Sequence, residues 1–545
     1  MKKKIISTLL AAVMVFSLTA CGGGSDKKSA DGTYYNTYLD TDPTTMDPVK
    51  GNDTYSMGIL RNIMEPLTRL EEDGDKQERK GAGAESWESN DDGTVWTFHL
   101  RDNKWSDGEP VTADDYVYGM KQTLDPEAGS PNAFYITCIK NGEAIYNGEK
   151  DVSELGVKAV DDKTLEITLE YSVPYFLSLT DTRAMYPVRE DLVEKYGESY
   201  GANVESMVGC GPFKMTSWKR NSKIELEKNE NYWDKDSVKL DKVNYQIVSD
   251  QTARFNSFDS GSLDYVACAD KEWIGRFDKK DKVDVVEAPI PTVRYDFFNC
   301  QDKIFSNVNI RKAFTMAVNR EDMCSVIYND IHKPLYGWVP YSTSTGELGE
   351  YRDQVEEPLK SITEDPKELL LKGMQELGLG SDPSTLNITY TLSGTTEWTR
   401  NYAAYCQQMW EKILGVKVEL DFNEWGTFQS KTNNGEFQIA MMTWSIDYDD
   451  PMAMMEVFAG GSNMVPVFWQ NEQYDSLVAQ ARKEMDEKTR VDLYKQAENI
   501  LLAEDCVVSP NVNECTHSYY YQYVKNYNKL ASSTSGLKYV DTSAR

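Results

Sequence analysis

The chain has 545 residues, with 88 Asp and Glu against 58 Lys and Arg, a net charge of −30. So acidic a protein repels anionic lipid and nucleic acid, since nucleic-acid binding needs a basic footprint. Its length corresponds to about three or four domain-sized units, and its 33 Tyr and 12 Trp supply a large core and aromatic-lined cavities.

Lys2, Lys3 and Lys4 precede an apolar run from Ile5 to Leu18, which leads into Thr19-Ala20-Cys21. A basic start, a short apolar region and small residues before a break predict a secretory signal over residues 1–20. The run is too short to span a bilayer as a helix. Cys21, directly after Leu-Thr-Ala, resembles the acylated cysteine of a bacterial lipobox and is expected to become the lipid-bearing first residue of the mature protein. Residues 21–33, rich in Gly, Ser and Lys, then read as a flexible tether with a reach of roughly 15–20 Å. Cleavage removes three lysines and makes the mature chain still more acidic. Nine cysteines are present, or eight besides Cys21, and no CxxC occurs. Cys506 and Cys515 form the one close pair, and free buried thiols are expected rather than a bridge between them.

From Tyr34 to about Leu67, short strand-like runs alternate with turn residues. VWTFHLRDNKWSDGEP alternates and then turns at Asp107-Gly108. Thr112 with Asp115 three residues on predicts a capping box opening a helix that ends before Asp125-Pro126. DDKTLEITLE predicts a turn into a half-buried strand with Leu165, Ile167 and Leu169 on one face, and SKIELEK repeats the pattern at Ile224 and Leu226. Gly209-Cys210-Gly211-Pro212 lacks the third glycine of a nucleotide loop and reads as a turn. Residues 307–318 are helical. Residues 386–446 then read strand, helix, strand, helix, strand, with Trp398, Tyr402, Tyr405, Met409 and Ile413 forming an apolar stripe expected to pack in a core. This order predicts a largely parallel sheet, in which ligands bind beyond the carboxyl ends of the strands. Asp447 falls just past the end of the third strand.

Catalytic and metal motifs are absent from the sequence. His99, His332 and His517 are far apart, and HExxH, GxSxG and GxxxxGK[ST] do not occur. A calcium loop beginning at Asp447 and Asp449 would need Asn or Asp at 451, Gly at 452 and Glu at 458. The chain has Pro451, Met452 and Phe458 there.

Several runs in order carry a resemblance: AESWESNDDGTVWTFHLRDNKWSDGEPVTADDYVYG at 84–119, LGVKAVDDKTLEITLEYSVPYF at 155–176, and the GCGPF turn. They continue with NENYWD, RYDFFN, IRKAFTMAVNRE at 310–321 and EWGTFQSKTNNGEFQIAMMTWSIDYDDP. Over essentially its whole mature length the chain resembles the oligopeptide-binding proteins of ABC importers, extracellular solute-binding family 5. The resemblance implies an α/β fold of two hinged lobes, periplasmic-binding-protein-like, with an additional inserted α+β domain. The expected division is lobe I at 34–64, 187–290 and 511–545, an inserted domain at 65–186, and lobe II at 291–510.

The implied function is that of a non-catalytic, monomeric receptor without a cofactor. It would be anchored outside a bacterial, expectedly Gram-positive, membrane by Cys21, and would hand extended peptides to permease subunits and their ATPases. A dipeptide, signalling peptide, nickel, haem or opine ligand is the alternative within the fold, and an extracellular hydrolase the alternative outside it. By resemblance, Asp447 of the Trp-x-x-Asp-Tyr motif grips the peptide's α-ammonium group, and a turn carboxylate bonding local backbone is its other reading. Trp425, Trp444 and Tyr295 match cleft aromatics, and Thr443 and Ser445 flank Trp444 where their backbone could pair with the peptide. Asn52, Thr54 and Asn132 fall at contact positions of the first lobe or the inserted domain. Met441 stands where some peptide binders have a cleft arginine. Asp450-Pro451 is expected to start the next helix, and Asp449 to be a solvated loop residue.

Overall fold

The computed structural model describes residues 32–73, 76–462, 464–529 and 536–545. Cys21, the expected signal and the tether up to residue 31 lie outside the described residues. Strand β1 (Tyr34–Leu39) turns Tyr35, Thr37 and Leu39 inward. Helix α1 (Thr54–Ile63) follows, capped by Asp53, whose carboxylate accepts from Ser56 N at 2.7 Å.

A block with its own sheets comes next. β2 (Thr68–Asp73) and β3 (Lys76–Gly81) pair as an antiparallel ribbon. β4 (Ala84–Ser89), β5 (Val95–Leu100), β6 (Val157–Asp161) and β7 (Thr164–Thr168) form an antiparallel sheet in the order β4-β5-β7-β6. Gly108 makes the predicted turn at φ +102°, a conformation that favours glycine. Helix α2 (Ala113–Leu124) has the predicted ends, and Asp115 accepts from Thr112 N at 2.8 Å. Leu165, Ile167 and Leu169 are buried as their alternation requires.

β8 (Phe213–Lys219), β9 (Lys223–Lys228) and β10 (Lys242–Ile247) then rejoin the first strand in the order β1-β10-β9-β8, with β1 parallel to β10. Ile224 and Leu226 are fully buried. In sequence, the block of β2–β7 therefore stands between β1 and the strands it pairs with. The GCGPF turn docks on the end of α1: a Cβ on Gly209 would lie 2.1 Å from the Ile63 carbonyl oxygen, and one on Gly211 2.6 Å from that of Met64. Only glycine allows that approach.

The second half is built on a larger sheet of β11 (Tyr265–Ala267), β12 (Val283–Phe298), β13 (Lys333–Pro334), β14 (Asn387–Ser393), β15 (Lys417–Asn423), β16 (Ile439–Ser445) and β17 (Val508–Tyr521). The order is β11-β17-β12-β16-β14-β15, with β13 on β17. Helix α3 (Val308–Met316) starts at Asn307, which accepts from Asn309 N and Ile310 N. The predicted strand–helix alternation is present as β14, α4 (Glu397–Leu414), β15, α5 (Trp425–Asn433) and β16, and β14 runs parallel to both β15 and β16.

The sheet as a whole is mixed, however, because β16 pairs antiparallel with β12 and β12 antiparallel with β17. The β12–β17 ladder slips between Pro289 and Val293 and again between Arg294 and Tyr295. Pro289 and Pro291 have no N–H to give it. The buried face of α4 centres on Tyr402, Cys406, Trp410 and Leu414, while Trp398, Met409 and Ile413 are only partly buried. The stripe is rotated because Trp410 packs onto α3, its indole N–H donating to Phe314 O at 2.9 Å. Cys506 and Cys515 are free and buried, and Cys506 Sγ bonds the Thr315 hydroxyl at 3.2 Å instead.

Candidate functional site

At the carboxyl end of β16 the chain is pinned by Ile446 N, which donates to Pro291 O at 3.0 Å, and then turns through 447–450. This turn closes one side of a cavity of about 320 Å³. The opposite sides come from α1, through Thr54, Met57, Gly58 and Arg61, and from the β2–β7 block and its exit, through Tyr135, Asp181, Thr182 and Arg183. Elements far apart in sequence thus enclose one space, at the lower end of the usual ligand-pocket range. Beside it the block also leans on the second half, with the Tyr175 ring stacked on Tyr448 at 5.0 Å.

Asp447 faces this cavity. Tyr135 Oη donates to its Oδ1 at 2.8 Å. The carboxylate meets water through the cavity mouth but has protein on most other sides. Desolvation therefore pushes its carboxyl above the usual range, opposed by the Tyr135 hydrogen bond and the positive charge of Arg183. Arg183 is itself held by the Gly51 carbonyl at 2.9 Å, and Arg79 by Asp181 at 2.8 Å. Arg61 also lines the cavity.

The other two acids of the turn have different work. Asp449 is not solvated as expected: it is partly buried, lines the cavity and accepts from Ser344 N at 2.8 Å. Burial pushes its carboxyl up to about 6. Asp450 is buried and accepts from Met452 N at 2.9 Å and from the Tyr494 hydroxyl at 2.8 Å, with Arg490 at 3.5 Å. Helix α6 (Met452–Met455) begins one residue later than predicted, with Pro451 at the capping position. Asp450 still holds its first turn.

Of the predicted residues, Asp447, Ser445 and Thr54 meet at this cavity. Thr443 and Trp425 line a second cavity of about 290 Å³. Trp425 is half exposed, its ring stacked on Phe428 at 5.7 Å. Trp444 points to the other face of β16, as strand alternation demands, and is partly buried. Its indole nitrogen is buried with no acceptor among the described residues. Tyr295, expected at the cleft, is fully buried in the core, edge-on to Trp338 at 4.9 Å. Asn132, expected at a contact position, is buried and donates to the carbonyls of Pro48, Val49 and Gly51, so it braces the loop before α1. Asn52 is exposed and lies outside the cavity lining. Tyr135, Arg183 and Arg61 were not anticipated. Their stretches of sequence carry no local motif: Tyr135 and Arg183 reach the cavity only through the folding-back of the β2–β7 block, and Arg61 through the placement of α1.

Two halves built on separate α/β sheets, with a cavity between them at the carboxyl end of a strand, define a two-lobed binding protein of the periplasmic type. The model of the bacterial extracellular solute-binding proteins, family 5, middle region, matches residues 78–465, and the chain belongs to that family. It is 36% identical over 518 residues to the dipeptide-binding protein DppE of Bacillus subtilis (strain 168), covering 93% of each. It is 35% identical over 526 residues to the oligopeptide-binding protein OppA of the same strain, covering 92% of this chain and 93% of that one. Among solved structures, the substrate-binding domain of an oligopeptide ABC transporter from Bacillus anthracis str. Ames superposes with a TM-score of 0.77 at 30% identity, over 94% of this chain and 99% of that one. The peptide-bound OppA of Listeria monocytogenes gives 0.76 at 29% identity, over 94% and 99%.

Proposed function

We propose that this chain is the non-catalytic, monomeric capture component of a peptide importer, which takes the α-ammonium of an extended peptide on Asp447 and delivers the ligand to an ABC permease. One observation carries the reading: a carboxylate with a single protein hydrogen bond among the described residues faces a cavity enclosed by both halves of the molecule. An enclosed carboxylate paired with a cation forms a strong charge-assisted hydrogen bond. The names of the relatives point to the same ligand class. Thr443 and Ser445 are exposed on the strand leading to Asp447, which suits pairing with a peptide main chain.

The division into lobe I at 34–64, 187–290 and 511–545, an inserted domain at 65–186 and lobe II at 291–510 is supported by the separate β1-β10-β9-β8 sheet and the separate sheets of β2–β7. Strand β11 and the 511–521 part of β17 nevertheless share the large sheet with the strands of lobe II. β12 and β17 run across both junctions between the lobes, and a hinge there would let the cleft close on its ligand. Mass spectrometry of the purified protein tests the reading. Intact peptides with free amines are expected among the released ligands; only non-peptide ligands, or peptides cleaved during incubation, would overturn it.

Capture of an ammonium needs the ionised carboxylate, and the Asp447 carboxyl is raised by burial. Protonation begins at a higher pH than for a free aspartate, so affinity should be full near neutrality and weaken as pH falls through the mildly acidic range. Titration calorimetry from pH 7 to pH 4 checks this, and pH-independent affinity would contradict it.

Cys21 is proposed as the membrane anchor. Cys21→Ser should move the protein from the membrane to the soluble fraction, because an acyl chain contributes about 0.8 kcal/mol per buried CH₂ and the acidic body little. Unchanged retention of the mutant would contradict the lipid assignment.

A further inference from the structure

Strand β16 joins two cavities. Ser445 lines the one that holds Asp447, and Thr443, two residues earlier on the same face, lines the other. The second cavity sits beyond the carboxyl end of β14, between Ser393, Trp398, Trp425, Met441 and Thr443, and Arg294 is its one charged lining residue among the described residues. Arg294 on β12 is the register partner of Thr443, so both side chains rise from the same face of the sheet.

The placement of this guanidinium is specific. Its face lies 4.3 Å from the Trp398 ring centre, and its Nε is 2.6 Å from Glu514 Oε1. A guanidinium carries five N–H donors. Glu514 Oε1 stands beside Nε as an ion-pair partner without hydrogen-bond alignment, and neither Nη makes a hydrogen bond to protein among the described residues. The group is therefore held between a ring on its face and a carboxylate beside it, and it lines the cavity with donors that no protein acceptor takes among the described residues. A bare structural ion pair would engage that fork itself with the carboxylate.

We propose that the Arg294 pocket is a carboxylate subsite that sets ligand preference, an inference that rests on the peptide reading above. From Asp447 back to Thr443 is four residues of extended chain, or about 13 Å at roughly 3.3 Å per residue. A ligand whose amine sits on Asp447 and whose backbone follows β16 places its third to fifth residue at Arg294. The carboxylate there is either an acidic side chain at one of those positions or the C-terminus of a peptide that ends there. The Trp398 and Trp425 rings flank its aliphatic stem.

Calorimetry tests this with C-terminally amidated pentapeptides, all-alanine or with Glu or Gln at residues three and four, and with tri- and tetrapeptides whose C-termini are free or amidated. The proteins are the wild type, Arg294→Met, and Arg294→Met combined with Glu514→Gln, the last so that no unpaired carboxylate is left behind. The wild type should bind the Glu peptides, or the free C-terminal acids, about tenfold or more tighter than their neutral counterparts. Both variants should lose that preference while keeping their affinity for the C-terminally amidated all-alanine pentapeptide, which carries no carboxylate. The side-chain and C-terminal arms tell the two sources of carboxylate apart. Equal wild-type affinity for acid and neutral ligands in both arms, or a preference that survives in the variants, overturns the subsite while leaving peptide binding intact. If the all-alanine peptide binds none of the proteins, the peptide reading itself falls, and the subsite with it.

Discussion

Asp447→Ala should lower the affinity for a free-amine peptide by roughly 30- to 5,000-fold, which is the ~2–5 kcal/mol lost when one member of a buried, hydrogen-bonded charge pair is removed. The size of the effect follows from the surroundings of the carboxylate. Its one hydrogen-bond partner among the described residues is the Tyr135 hydroxyl, 2.8 Å from Oδ1, whereas Asp181, the other acid on the far wall of the cavity, is paired with Arg79 at 2.8 Å. Asp449 bonds Ser344 N, and Asp450 is committed to Met452 N, Tyr494 and Arg490. Tyr135→Phe removes one neutral donor to the carboxylate and should change affinity by only about 0.5–1.5 kcal/mol. Asp102→Ala, on a fully exposed side chain, is the background control and should change it by less than ~1 kcal/mol. Asp449 is unsuitable for that purpose, because its burial and its bond to Ser344 make its removal a structural change.

The largest expected effect on stability is at Glu65. This fully buried carboxylate lies between α1 and β2. It pairs with Arg69 at 2.6 Å and accepts from the Tyr232 hydroxyl at 3.0 Å and the Trp233 indole at 2.8 Å. Its backbone carbonyl takes the Tyr116 hydroxyl of α2 at 3.0 Å. The residue thus ties the start of the β2–β7 block to the 230s of the first sheet's domain. Glu65→Ala strands the Arg69 guanidinium, which is 1% exposed, and should destabilise the fold by about 3–5 kcal/mol in urea unfolding. Replacing Glu65 and Arg69 together with Met removes both charges and should recover part of that loss. A single-mutant loss under ~1 kcal/mol would mean that Arg69 finds another partner or reaches water.

What was legible in the sequence divides along physical lines. Local rules carried well: Thr112 with Asp115, the alternation at Leu165 and Ile167, and the strand–helix run from 387 to 445 all appear where periodicity and capping put them. A turn at Gly209–Pro212 was also legible, though not that Gly209 and Gly211 press on the backbone of α1. The mixed character of the large sheet was not, because β12 and β17 come from opposite ends of the second half and no local period announces their pairing. The site shows the same limit. Asp447 stood out by its place after β16, whereas its partner Tyr135 comes from a block whose packing against the second half is purely tertiary. Tyr295 shows the converse failure: an aromatic in a matching run says nothing of which face of the strand it occupies, and here it faces Trp338. Arg294 lies in a run that the sequence flagged, and only strand register places it opposite Thr443, on the same face as Met441.

The most direct measurement is a double-mutant cycle by calorimetry, combining wild type and Asp447→Ala with a peptide and its N-acetylated form. If the carboxylate holds the ammonium, both changes delete the same contact. Acetylation should then weaken binding to the wild type strongly and to the mutant little, with a coupling energy of about 2 kcal/mol or more. Additive losses, with acetylation equally harmful to both proteins, would contradict the assignment of the ligand's amine to Asp447.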